Sequence, residues 1–512
     1  MKVVTVKTLA PNGLKMQEVK VEVAARPGLS SLTIVGLAGK SLVESKERIR
    51  LALRSIGVTL PSTAVVVNLA PAEIAKDGTH YDLPITLALL VSAGYLSDLP
   101  NDLLVFGELG LDGQIRRVRQ AVSFAIWAKQ EDFRCLFPKS ISQEVSLVKG
   151  LRCVFGSNLA DLLRQSKLGW HFQESHKVVK KELTSGSKRA SNSRNFTDSE
   201  SDIITFDSIM GQNLAKRAAL IAVSGNHNLL LAGPPGVGKS LLAMSMKELL
   251  PKLREREQLE VTSVHSSAGL LTEQNPYVRI APFRNPHHTS STVALVGGGS
   301  PIKPGEVSLA HGGILYLDEL PLFSKGVLEA LREPLQNKQI TISRSKSNVT
   351  YPADFLLVGA FNPCPCGFLG SNIECRCTQV QIQHYQAKLS GPIVDRFNLF
   401  ARLSQVEQLE VGKVGGEHQS ALVLVQSARQ RQLKRQKKLN QSLNLRELEQ
   451  IITEQALQAH LESLMQQLHL SLRSVMATVR VAQTIADLAD SDRLSPEHLA
   501  EAIAFLPPVK IN

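Results

Sequence analysis

The sequence predicts an α/β protein of more than one domain, and three observations carry that expectation. A glycine-rich stretch, Gly233-Pro234-Pro235-Gly236-Val237-Gly238-Lys239-Ser240, stands between the apolar run Asn228–Ala232 and the helix-like run Leu241–Met246. Two more apolar runs, Gly313–Leu317 and Leu356–Phe361, end in the polar residues Asp318-Glu319 and Asn362. Short continuous apolar runs of this kind read as strands buried on both faces, as in parallel sheets covered by helices. Residues 1–165 add a separate region of mixed strand-like and helix-like segments, which reads as α/β or α+β.

The chain has 512 residues, more than one ordinary core holds, so two or three domains are expected. Charged residues make up 20% and hydrophobic residues 43%, which suits a soluble globular protein. No run approaches the roughly 18–20 apolar residues of a membrane span. The first residues, Met1–Val6, alternate like a strand and lack the apolar core of a signal peptide. A cytoplasmic protein with no membrane partner is expected. The net charge of +12 favours a polyanionic partner. Of six cysteines, Cys135 and Cys153 have apolar neighbours and read as core thiols.

In the first region the predicted strands are 19–23, 32–35, 65–68 and 103–106. The predicted helices are 42–56, 83–93 and 118–128. Residues 166–201 carry Lys177, Lys180, Lys181, Lys188, Arg189 and Arg194 among Ser, Gly, Thr and Asn, and read as a flexible basic tether. The expected division is therefore 1–165, the tether 166–201, a core at 202–404 and a helical region at 405–512.

The strand–glycine loop–helix order makes the stretch from Gly233 to Ser240 a nucleotide phosphate site, with ATP and Mg²⁺ as expected ligands. Backbone N–H groups would curl around the phosphates, Lys239 would reach the outer two, and Ser240 would hold Mg²⁺. Asp318 would hold the metal through water and Glu319 would polarise the attacking water. Asn362, at the end of the third core strand, can orient that water. The 79 residues from Lys239 to Asp318 are long for one helix, one strand and short connections. The excess, about 263–306, holds Arg284 to Ser291 with His287 and His288, and then Val296 to Ser300. Alternation around a Ser/Lys/Asn tip at 339–351 predicts a second hairpin, presenting Arg344 and Lys346. Cys364, Cys366, Cys375 and Cys377 form two C-x-C pairs eight residues apart. Four thiolates so spaced can close a tetrahedral Zn²⁺ site; reduced free thiols in a loop are the alternative.

Several passages resemble known families. Pro71 to Pro84 and Gly107 to Val118 look like the proteolytic domain of Lon proteases (a ribosomal protein S5 domain 2-like fold). The nucleophile position falls at His80 and the lysine position near Val122, so a Ser–Lys dyad is excluded. Lys76, Asp77 and Asp82 then read as a polar turn at an oligomer surface or a helix start. The segment Phe206 to Gln212 is similar to the cover over adenine in AAA+ ATPases, with Ile209 as the apolar contact. The insert at 263–306 looks like a hairpin of the AAA+ subclass that holds magnesium-chelatase ATPase subunits and MCM helicases. In that resemblance the hairpin at 339–351 faces a ring pore, and Arg344 and Lys346 meet DNA phosphates; His287 and His288, which as neighbours on a regular strand cannot both face one metal, are expected to position groups or contact DNA. Leu389 to Phe397 resembles an arginine-finger segment, implying that Arg396 acts on a neighbour's nucleotide. Arg473, opening a helix in a C-terminal lid of magnesium-chelatase type, looks like a second sensor.

The whole order, a Lon-like domain, then an AAA+ P-loop module, then a helical lid, is similar to the ComM/YifB family. The resemblance implies a homo-hexameric ATPase and DNA helicase. It would promote branch migration and strand exchange in homologous recombination during natural transformation. Its partners would be single-stranded and branched DNA, and other recombination proteins. A magnesium-chelatase motor, another AAA+ remodeller and an ATP-dependent protease are the alternatives; His80 and Val122 weigh against the last.

Overall fold

A computed structural model describes residues 3–29, 31–37, 39–59, 63–176, 204–344, 347–389, 391–405, 416–452 and 471–507, with isolated positions between 458 and 467. The N-terminal alternation becomes the hairpin Val3–Asn12 and Lys15–Arg26, turned at Gly13, whose φ of +67° a side chain would resist. This hairpin centres an eight-stranded sheet. On one side lie Leu103–Val105, Arg134–Pro138, Arg152–Gly156 and Gln173–Glu174; on the other lie Ala64–Ala70 and Ser31–Val35. Helix Asp82–Ser92 packs on it with every residue from Asp82 to Val91 buried. Helix Ala121–Gln130 contributes to a second cluster with Cys135 and Cys153, both buried as expected of core thiols.

The Lon-like turn is structural. His80 is buried, lies tilted against the Phe124 ring and meets the Leu9 carbonyl at 2.9 Å through Nε2. Val122 is wholly buried. Asp82 starts its helix, as one reading of the turn expects, and it is fully buried, accepting from Arg48 at 2.8 Å and from the Leu109 N–H at 3.3 Å. Lys76 is also fully buried, with its ammonium on the Pro71 carbonyl. Neither Asp82 nor Lys76 is available to an oligomer surface. The expected tether at 166 starts later than the sequence suggests. Helix Leu159–Lys167 is followed by Gln173–Glu174, which pairs with Arg152 and Cys153, and Ser175 donates to the Val148 carbonyl at 2.6 Å. A two-residue polar strand has no alternation to read. The tether's basic residues, Lys177 to Arg194, lie outside the described residues.

The second sheet is parallel, in the order Phe283–Arg284, Ile314–Leu317, Leu356–Phe361, Leu229–Ala232 and Leu399–Arg402. The three apolar runs of the sequence are its three central strands, wholly buried. The expected insert is more than a hairpin. Its Phe283–Arg284 joins the core sheet as an edge strand; Thr292–Val296 is helical, and only Gly297–Gly298 with Lys303–Pro304 forms a small hairpin. The second hairpin forms as expected, pairing Gln339–Arg344 with Ser347–Pro352.

Helices Glu417–Gln436, Leu472–Leu488 and Pro496–Ala504 share one core with helix Asn213–Gly225 and the sheet. The buried His227 fastens the two parts, meeting Gln441 Oε1 at 3.0 Å and Thr484 Oγ1 at 2.7 Å. The first domain is bolted to helix Glu255–Ala268. Buried Glu144 accepts from Arg117 and from Ser266, each at 2.7 Å, and Gln120 donates to Ser267 at 3.1 Å.

Burial holds His80, His227 and His265 neutral, each with its pKa lowered to about 4. Between pH 6.5 and 4 an unfolded chain takes up protons that these folded sites refuse, so their contribution to stability falls as pH falls through that window. The loss is about 1.4 kcal/mol per pH unit for each histidine. Urea unfolding midpoints at pH 7.5 and 5.5 should therefore differ less for His227→Gln than for the wild type; an unchanged difference would mean that His227 titrates in the fold as it does in the unfolded chain.

Candidate nucleotide site

The site lies where a parallel sheet puts ligands, beyond the carboxyl ends of its strands. The loop from Gly233 to Gly238 leaves strand Leu229–Ala232 and enters helix Lys239–Leu249, with Gly236 and Gly238 at φ of +80° and +95°. Lys239 is only 8% exposed. Its ammonium donates to the Gly233 carbonyl at 2.7 Å, the Pro234 carbonyl at 2.8 Å and Asn362 Oδ1 at 2.9 Å. Burial lowers its pKa, opposed by Asp318 and Glu319. Ser240 donates to Asp318 Oδ2 at 3.0 Å, a hydroxyl–carboxylate pair with the oxygen chemistry that Mg²⁺ takes. Tyr316 OH stands 3.1 Å from the same hydroxyl. It lies two residues before Asp318 on one strand, so strand periodicity could have shown that both face the site.

Glu319 stands at a φ of +50°, with its N–H on Asp318 Oδ1 at 2.9 Å. Its carboxylate pairs with His288 Nδ1 at 3.2 Å, and the His287 ring lies tilted against that of His288 with centroids 4.2 Å apart. Arg284 is committed to Glu306 through two bonds of 2.6 and 2.8 Å. Tyr385, from helix Gln379–Gln386, has its pKa pushed up to about 12 by burial and then by the Glu319 charge. Nothing in the sequence pointed to Tyr385. Buried Ile209 lines a cleft of about 610 Å³ with Pro235, Gly236, Val237, Gly238 and Asn372.

Two predicted arginines lie elsewhere and together. Arg396 Nε is buried without a hydrogen-bond partner. Burial lowers the Arg396 pKa, and the positive charges of Arg473 and Arg332 lower it further. The arrangement concentrates positive charge where an anion would relieve it. Arg344 ends its strand, exposed, and its guanidinium would lie 3.6 Å from a Cβ at Gly298. Lys346 lies outside the described residues.

The four clustered cysteines converge. The Sγ atoms of Cys364, Cys366 and Cys375 are 3.4–3.6 Å apart, and Cys377 Sγ accepts the Cys366 N–H at 3.4 Å. All four lie within 4.8 Å of one another. Sulfurs around tetrahedral zinc at about 2.3 Å would stand roughly 3.8 Å apart, so the quartet fits that ion.

A glycine loop, a strand ending in two carboxylates, a polar group on the next strand and a docked helical lid define a P-loop ATPase fold of the AAA+ type. Family comparisons agree along the chain. The model described as magnesium chelatase, subunit ChlI, matches residues 205–411; its C-terminal counterpart matches 418–506, and subunit ChlI of Mg-chelatase matches 21–140. The protein YifB of Escherichia coli is 38% identical over 505 residues, spanning 98% of this chain and 96% of its own. The competence protein ComM of Haemophilus influenzae is 35% identical over 508 residues, 98% and 97% of the two chains. The chloroplastic magnesium-chelatase subunit ChlI of Nicotiana tabacum is 23% identical, covering 60% of this chain and 73% of its own. The chain belongs to the ComM/YifB family, whose magnesium-chelatase-like AAA+ domains imply ATP and Mg²⁺ as ligands.

Lys239→Ala should cost about 1.5–3 kcal/mol of nucleotide affinity, roughly 10- to 100-fold in Kd, by removing a charged donor. Fluorescent ATP titration reads it. Glu319→Gln should bind ATP normally while turnover falls about 10²- to 10⁴-fold; turnover at the wild-type rate would remove Glu319 from water activation.

Proposed function

We propose that the protein is an ATP-driven DNA motor that works as a homo-hexameric ring in the cytoplasm. In this reading it promotes branch migration and strand exchange in homologous recombination during natural transformation. It acts on single-stranded and branched DNA alongside other recombination proteins. The observation that carries the reading is a short physical path. His288 pairs with Glu319, helix Thr292–Val296 follows, and Gly297 and Gly298 then pack on Ile342 and Arg344 of the exposed hairpin. A change at the γ-phosphate has packed neighbours all the way to a cation that can hold a DNA phosphate. The full-length similarity to a competence protein supports the biological setting.

Within this reading Lys239 binds the outer phosphates, and Ser240 and Asp318 hold Mg²⁺, which neutralises phosphate charge. Glu319 takes the proton of the attacking water, and Asn362 orients that water. Arg396 answers the charge developing on a neighbour's nucleotide; its unsatisfied Nε supports this role. Arg473 stands close enough to add to the same positive field. Arg344, Lys346, His287 and His288 are the residues proposed to contact DNA. Zn²⁺ on the four cysteines is part of the same proposal.

The magnesium-chelatase matches favour a second reading, a motor that drives Mg²⁺ into a porphyrin. The relatives that match from end to end favour the DNA reading. Strand displacement on a forked or three-strand substrate separates the two; neither unwinding nor DNA-stimulated hydrolysis would remove the motor.

Arg396→Ala alone should lose about 10³- to 10⁵-fold in kcat. Mixed with Glu319→Gln subunits it should regain turnover, because one class of interface then joins an intact Glu319 to an intact Arg396. Mixtures that stay inactive would place Arg396 outside a shared site. Arg344→Ala should weaken DNA binding and lower the log–log salt slope by about 1, with basal hydrolysis unchanged.

A further inference from the structure

The segment between strand Leu356–Phe361 and helix Gln379–Gln386 touches the nucleotide site at three places. Asn362 accepts from Lys239 at 2.9 Å. Gly367, at a φ of +86°, lies so flat on the glycine loop that a Cβ there would stand 2.7 Å from Cγ and Cδ of Pro235. Asn372 lines the cleft with Ile209, Gly236 and Gly238. Between these contacts the chain has no helix or strand. Its fixed points are the buried Cys364, the Pro363 carbonyl accepting from Gln386 at 3.1 Å, and the four converging thiols. Phe368 and Leu369 are only partly buried and Ile373 is 50% exposed, so little apolar packing holds it.

We propose that the four-cysteine zinc centre is a working wall of the nucleotide cleft: the bound metal presses Gly367 onto Pro235 and holds Asn372 at the Ile209 end of the cleft, where the base of ATP binds. This rests on the reading of the quartet as a zinc site and extends it from local support to control of nucleotide affinity. A loop of seventeen residues between strand and helix gains its order from the metal, because few contacts tie it to the rest of the chain. Coupling is reciprocal: zinc tightens ATP, and ATP tightens zinc by the same factor.

The test uses the purified full-length protein under reducing conditions. Zinc per chain is measured first by atomic emission. The metal is then withdrawn with a chelator, Mg²⁺ is restored, and the Kd of a fluorescent ATP analogue is measured before withdrawal, after it and after zinc is added back. One zinc per chain, a Kd at least tenfold weaker without it, recovery on adding it back and tighter zinc binding with ATP present support the proposal. One zinc per chain with an unchanged Kd overturns the coupling and leaves the zinc site standing. A reduced protein without zinc overturns the zinc site, and the coupling with it. Gly367→Ala keeps all four thiols and the metal while forcing the loop off Pro235. It should weaken ATP with zinc content unchanged, and an unaltered Kd in that variant overturns the wall.

Discussion

One buried cation organises the nucleotide module. The Lys239 ammonium is surrounded by two carbonyls of its own loop and by the amide of Asn362. A charge out of water is tolerated only when its donors are met, so the loop must curl back on its lysine and strand Leu356–Phe361 must end beside it. That requirement agrees with the sheet order, in which Leu356–Phe361 lies between Leu229–Ala232 and Ile314–Leu317. The same order brings Asp318 to Ser240. An incoming phosphate offers the ammonium a stronger acceptor than a carbonyl, so ATP would rearrange contacts already made rather than create a site from nothing.

The first domain obeys the same rule with a different outcome. The turn that resembles a protease site holds Lys76, His80 and Asp82, and all three are buried with partners. Asp82 is held in the sheet's interior by Arg48, and burial raises its pKa against the pull of that arginine. Groups able to do chemistry at a surface have become internal fasteners. His80 and Val122, the positions that the protease resemblance would give to its reactive pair, are both buried.

What the sequence revealed was local. The glycine loop, the three apolar runs and their polar ends are contiguous motifs, and each appears where its pattern placed it. The cysteine pairs were legible because four thiols so close in sequence form a recognisable metal-ligand pattern. The neighbours of Arg396 were not legible: Arg332 and Arg473 reach it from distant parts of the chain. The His288–Glu319 pair depends on Phe283–Arg284 joining the sheet edge, and two residues are too short a run to announce a strand. The extension of the first domain past 165 was hidden for the same reason, because Gln173–Glu174 owes its place to a neighbouring strand and not to its own composition.

Helix Glu255–Ala268 has partners on both flanks. Glu144 and Gln120 hold Ser266 and Ser267 from the first domain, while Tyr351, on the hairpin that carries Arg344, stands 3.3 Å from the Ser267 hydroxyl and reaches the Ile302 carbonyl at 3.3 Å. Gly13, at the tip of the longest strand pair of the first sheet, meets Val349 of the same hairpin. The hairpin is therefore braced against an eight-stranded slab. It cannot swing freely: it must either drag the slab with it or slip across Ser267 and Gly13. The first domain is ballast, and any displacement of this hairpin is a displacement against its weight.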